Sequence, residues 1–126
     1  MERFFWICFA GAAGTGTRYL IAVWSAQRLG SAFPFGTLIV NLAGCFAIAV
    51  LMHAALTVGW SPTTRAALTI GFIGGFTTYS SFNYETMRLF EESAPLTAAV
   101  NVTLTVLGGW ISGWLGLMAA RGVLGR

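Results

Sequence analysis

Three long stretches of this chain carry no charged side chain: Leu29 to Thr64, Ala66 to Tyr84 and Ser93 to Ala120. A helix needs roughly 20 mostly apolar residues to cross a bilayer, so each stretch is close to one crossing or longer. Charged residues make up 9% of the chain and hydrophobic ones 56%. Soluble domains carry about a quarter charged residues, so a fully water-facing surface is hardly possible here. The pattern predicts an all-α integral membrane protein. It excludes a soluble enzyme, a nucleic-acid-binding domain and a disordered segment. The formal net charge of +3 is scattered and makes no basic patch.

The punctuation predicts one domain over 1–126 with four spans, near 4–26, 35–58, 63–92 and 95–120. Gly59 stops the second span, and Ser61-Pro62 supplies a cap and a first-turn proline for the next. The opening Met1-Glu2-Arg3 and its apolar run resemble a signal peptide. The run is short, however, and the apolar pattern resumes after Arg18, so the segment reads as a helix. Cys8 and Cys45 sit in apolar runs as small hydrophobes and not as a disulfide framework. With four crossings, Arg3, Arg65, Arg121 and Arg126 fall on one side, and Arg28 and Arg88 on the other. That bias is weak, so such a chain could insert either way up.

The segment Gly71 to Phe82 is the most informative. Adjacent Gly74 and Gly75 precede five hydroxyl residues, Thr77 to Ser81, and such a run makes a poor continuous helix. Close packing through small residues explains the glycines alone. With the hydroxyl run added, the segment predicts a helix broken mid-span. Freed backbone groups survive in a membrane only where protein, water or an ion satisfies them.

Thr37 and Asn41, four apart, share one face of the second span. A buried amide there either bonds a neighbouring helix or lines a path. On the last span, Thr97, Asn101, Thr105, Gly108 or Gly109, and Ser112 follow the helical period as one polar stripe. In lipid such a stripe needs a partner helix or a pore, and its length favours a pore. Arg18 reads as a charge at a vestibule mouth or a snorkelling side chain. His53 reads as structural. Asn41, Asn101, Thr37, Thr105, Tyr79, Ser80 and Ser81 are neutral donors accompanied by aromatic rings, whose edges carry partial positive charge. Among the four spans, only the third holds a carboxylate away from its ends, Glu85. Such a lining suits a small anion and gives a cation little to bind. No nucleophile–base pair or metal-ligand cluster suggests an enzyme.

These residues resemble one known family over essentially the whole chain. Gly11 to Tyr19 (G-x-x-G-x-x-x-R-Y), Gly36 to Phe46 (GTLIVNLAGCF) and Gly71 to Glu85 (GFIGGFTTYSSFNYE) are similar to the Fluc, or CrcB-type, fluoride channels. The resemblance implies an antiparallel, dual-topology homodimer in a bacterial-type inner membrane, with lipid around it and two pores exporting fluoride passively. It implies a structural sodium ion at the dimer centre, held by backbone carbonyls of Gly74 and Thr77. The family's pore asparagine matches Asn41, its two pore phenylalanines match Tyr79 and Phe82, and its polar track falls on Asn101, Thr105 and Gly109 or Ser112. Thr37 and Ser81 complete the expected pore lining, with Arg18 at the vestibule. The sequence departs from the family at Tyr79, which adds a hydroxyl to the expected ring. The rival reading, a small dual-topology multidrug exporter, relies on a carboxylate in the first span, where this chain has Arg18.

Overall fold

The computed structural model describes residues 1–125; Arg126, one of the arginines counted above, lies outside them. The described chain is helical throughout, without strands. Helix α1 is Glu2–Leu29 and α2 is Phe35–Val58. Helix α3 covers 62–76 in three consecutive stretches: Pro62–Ala66, a wider π-helical Ala67–Ile73, and Gly74–Phe76. After Thr77 and Thr78 the chain continues as α4, Tyr79–Glu91, and ends in α5, Pro95–Leu124. Helices α1 and α5 run past the ends expected from sequence, to Leu29 and Leu124. Arg28 and Arg121 in their last turns suit the partial negative charge at a helix C-terminus.

The stop and start between α2 and α3 follow from local chemistry. Gly59 takes φ 74°, a conformation costly for other residues, and its N–H and that of Trp60 both reach the Ala55 carbonyl. Ser61 Oγ then accepts the Thr64 N–H at 3.1 Å and caps α3, with Pro62 in the first turn.

Helix α2 is central. It packs along α5 and also touches α1, α3 and α4. Both α2 and α5 are long and apolar enough to cross a membrane, yet only 22% and 11% of their most apolar stretches are buried in the fold. Trp110 is 83% exposed and Leu96 78%. A soluble protein would hide such helices, so these outward faces belong in lipid or against another chain. This is a membrane protein.

Helices α1 and α3 meet backbone to backbone through glycine. A Cβ on Gly14 would land on the Phe72 carbonyl oxygen, one on Gly75 on the Gly11 carbonyl oxygen, and one on Gly71 2.6 Å from the Ile7 oxygen. Small residues are how membrane helices gain close contact when lipid supplies no hydrophobic drive. Gly16, on the same helix, meets nothing within 4 Å. Gly14→Ala is therefore expected to destabilise the protein by about 1–3 kcal/mol, because the obstructing atom is backbone and cannot swing away. Gly16→Ala is expected to be neutral or to stabilise by up to about 1 kcal/mol. Thermal unfolding of both variants in one detergent checks the contrast.

Candidate functional site

Thr37, Asn41 and Gly44 lie on one face of α2, at intervals of four and three residues, and the chain between α3 and α4 docks on that face. Thr77 (φ −86°, ψ 160°) and Thr78 (φ −153°, ψ 115°) are extended, so the helix is interrupted there. Asn41 clamps the interruption from both sides of its amide. The Thr78 N–H donates to Asn41 Oδ1 at 2.8 Å, and Asn41 Nδ2 donates to the Thr78 carbonyl at 3.0 Å. Gly44 leaves room for the Thr77 methyl, which presses against its α carbon. Thr37 Oγ1 donates to Glu85 Oε1 at 2.8 Å. Thr78 also restarts the helix: its Oγ1 accepts the Ser81 N–H at 3.2 Å, which caps α4.

Asn41 borders a groove of about 460 Å³ with Thr77, Thr78, Tyr79, Phe82 and Thr105. Among the described residues, no charged side chain lines it. Phe82 is 7% exposed and Tyr79 79%, with ring centroids 5.7 Å apart and planes tilted by 57°. The Thr105 hydroxyl is buried and has no hydrogen-bond partner among the described residues. An amide nitrogen carries two hydrogens, so after its bond to Thr78 the Asn41 group keeps one N–H. The groove thus offers neutral donors and ring edges.

A second cavity, of about 300 Å³, lies on the other side of Thr78. Arg18, Thr37, Ser81 and Glu85 line it together with Thr15 and Tyr19. Arg18 brings positive charge to its wall, and Glu85 uses one carboxylate oxygen on Thr37 while the other, Oε2, is buried without a partner among the described residues. Thr78 borders both cavities.

The polar stripe on α5 divides. Thr105 faces the groove. Asn101 is 1% exposed and donates to Thr86 Oγ1 at 2.9 Å, and Thr86 donates to the Phe82 carbonyl at 2.8 Å. Ser112 Oγ donates to the Leu42 carbonyl at 2.8 Å, fastening α5 to α2. Asn101 and Ser112 line neither cavity, and Gly109 rests against Cys45. His53 Nε2 lies 2.9 Å from the Gly125 carbonyl, far from both. Sequence reasoning passed over Gly44, Thr78, Glu85 and Thr86 as working parts. The α2 periodicity that pairs Thr37 with Asn41 reaches Gly44 next, and a hydroxyl just before a helix start is a cap signal.

Gly74 is exposed, and a Cβ there would meet nothing within 4 Å. A continuous helix would spend the Thr78 N–H on its carbonyl; here that N–H is on Asn41. No three His, Cys, Asp or Glu side chains gather to hold a metal among the described residues. The Gly74 carbonyl oxygen is a hard donor, of the kind that suits hard cations.

Residues 5–117 match the family described as CrcB-like protein, Camphor Resistance (CrcB). A protein of Sorangium cellulosum named fluoride-specific ion channel FluC is 47% identical over 122 residues, covering 96% of each chain. A protein of the same name from Citrifermentans bemidjiense is 43% identical over 96% of this chain and 98% of its own. Another from Anaeromyxobacter is 40% identical over 99% of this chain and 100% of its own.

The Asn101–Thr86 bond predicts a coupling. In a double-mutant cycle with Asn101→Leu and Thr86→Val, the pair is expected to contribute about 0.6 kcal/mol, the average measured for hydrogen bonds between membrane helices, and at most about 1.7. Unfolding of the four proteins in mixed micelles reads it.

Proposed function

Since this chain belongs to the CrcB-like protein family, we propose that it is a fluoride channel, a membrane protein that lets fluoride leave the cell passively down its electrochemical gradient. The observation that carries this reading is the uncharged groove bounded by Asn41, Thr105, Tyr79 and Phe82. Fluoride is small and a strong hydrogen-bond acceptor, so it gives up water only where donors replace it. One Asn41 N–H, the unpartnered Thr105 hydroxyl and the ring edges of Tyr79 and Phe82 provide such donors without a fixed positive charge that would trap the ion. Arg18 at the wider cavity draws the anion in, and Thr37 and Ser81 lie on the way. Asn101 and Ser112 hold α4 and α5 in place around the path. HF entering from an acidic medium ionises and is trapped in the cytoplasm, and the channel relieves that trap. It is a channel and not an enzyme.

The protein would cross a bacterial-type inner membrane four times, with 62–91 as one interrupted crossing, and pair with a second copy in the opposite orientation. Two features support the pair. The arginines are spread over both ends of the bundle, and Tyr79, part of the groove, is 79% exposed in one chain and needs a neighbour to enclose it. Exposed Gly74 and adjacent Thr77 would then meet the partner's equivalents, and the carbonyls of Gly74 and Thr77 would hold a structural sodium ion between the two chains. The ion would supply positive charge that binds the interruptions together.

The test is fluoride efflux from liposomes that contain the purified protein, read with a fluoride electrode. Rapid release is expected; a folded protein that releases none would overturn the reading. In the same preparation, Tyr79→Phe keeps the ring edge and is expected to hold flux within a few-fold. If the hydroxyl donates to the ion, its loss weakens binding by about 0.5–1.5 kcal/mol. Tyr79→Ile removes the edge and is expected to reduce flux far more. A separate measurement concerns the cation: the melting temperature is expected to rise with sodium and not with potassium or a large organic cation. Identical melting in all three would remove the sodium site.

A further inference from the structure

The amide of Asn41 has an acceptor and a donor, and both are committed to the backbone of one residue, Thr78. That arrangement has a consequence four residues earlier. In an uninterrupted helix the Thr78 N–H would bond the Gly74 carbonyl. With Asn41 Oδ1 at 2.8 Å, that donor is withdrawn. The Thr78 carbonyl in turn accepts from Asn41 Nδ2. Gly44, one helical turn along α2, seats the Thr77 methyl and fixes the turn between the two positions.

We infer that Asn41 is a positioning residue for the cation site: by holding the Thr78 N–H it keeps the Gly74 carbonyl free for sodium. The inference rests on the sodium reading proposed above. It makes Asn41 a link between two sites, since its remaining N–H borders the anion groove while its oxygen sets the carbonyl geometry of the interruption. Without that oxygen the Thr78 N–H loses its acceptor, and winding the extended residues back into the helix would return it to the Gly74 carbonyl. The helix would close over it, because an unpaired N–H in an apolar setting is strongly disfavoured.

The test compares two substitutions in two measurements: melting temperature against sodium concentration, with a large organic cation as replacement, and fluoride efflux from liposomes. Asn41→Asp keeps an oxygen for the Thr78 N–H but places negative charge beside the anion path. It is expected to abolish efflux without raising the sodium midpoint above that of the wild type. Asn41→Leu has the same bulk and no acceptor. It is expected to lose efflux and to raise the sodium midpoint about tenfold, roughly what one lost hydrogen bond supplies. Should Asn41→Leu not fold, Asn41→Ser, too short to reach Thr78, is expected to shift the midpoint likewise. A midpoint unchanged in Leu and Ser overturns the inference and leaves Asn41 a pore residue only. A lower melting temperature at an unchanged midpoint also overturns it, since general loss of stability does not alter ion affinity. A wild type with no sodium response overturns the sodium reading first, and the inference with it.

Discussion

A helix interrupted inside a membrane must find partners for the backbone groups it releases, and here one side chain takes both the N–H and the carbonyl of Thr78. Each unpaired amide in hydrocarbon costs several kcal/mol, so extended Thr77 and Thr78 exist only because α2 presents Asn41 and Gly44 to them. The rest of the architecture keeps α2 where it can do so. Glycines let α1 press against α3, Ser112 fastens α5 to the Leu42 carbonyl, and Asn101 ties α5 to Thr86 just beyond the interruption.

The same constraint brings the anion-facing groups together. Because the helix is interrupted at Thr77 and Thr78, α4 starts with Tyr79 tilted against Phe82 and both beside Asn41 and Thr105. Of the two cavities that meet at Thr78, one has Arg18 and Glu85 on its wall and the other, among the described residues, has uncharged side chains alone. A fixed cation inside the groove would bind an anion tightly and slow its departure, whereas several weak donors let it enter and leave.

Much of this was legible in the sequence, for physical reasons. Charge-free stretches flanked by arginine mark membrane helices whatever their partners, and the three motifs are long enough to identify the family. The hydroxyl run after Gly74-Gly75 signals an interruption because Thr and Ser compete with the helix for backbone groups. Periodicity was less informative on α5. It groups Asn101, Thr105 and Ser112 on one stripe, but it cannot say that Asn101 meets Thr86, that Ser112 meets Leu42 and that of the three Thr105 alone faces the groove. Those differences come from how α5 winds past α4 and α2. The π-helical stretch Ala67–Ile73 has no signature in its residues either; it goes with the close approach of Gly71 to α1. The pairing of Thr37 with Glu85 needs two segments 48 residues apart, which no local pattern contains.

The claim that a neutral groove selects fluoride is tested most directly by electrical recording across a planar bilayer holding the purified protein, with unequal fluoride and equal chloride on the two sides. The account predicts a current that reverses at the fluoride equilibrium potential and stays there when chloride is made unequal too. A reversal potential that follows chloride or the cation would contradict it.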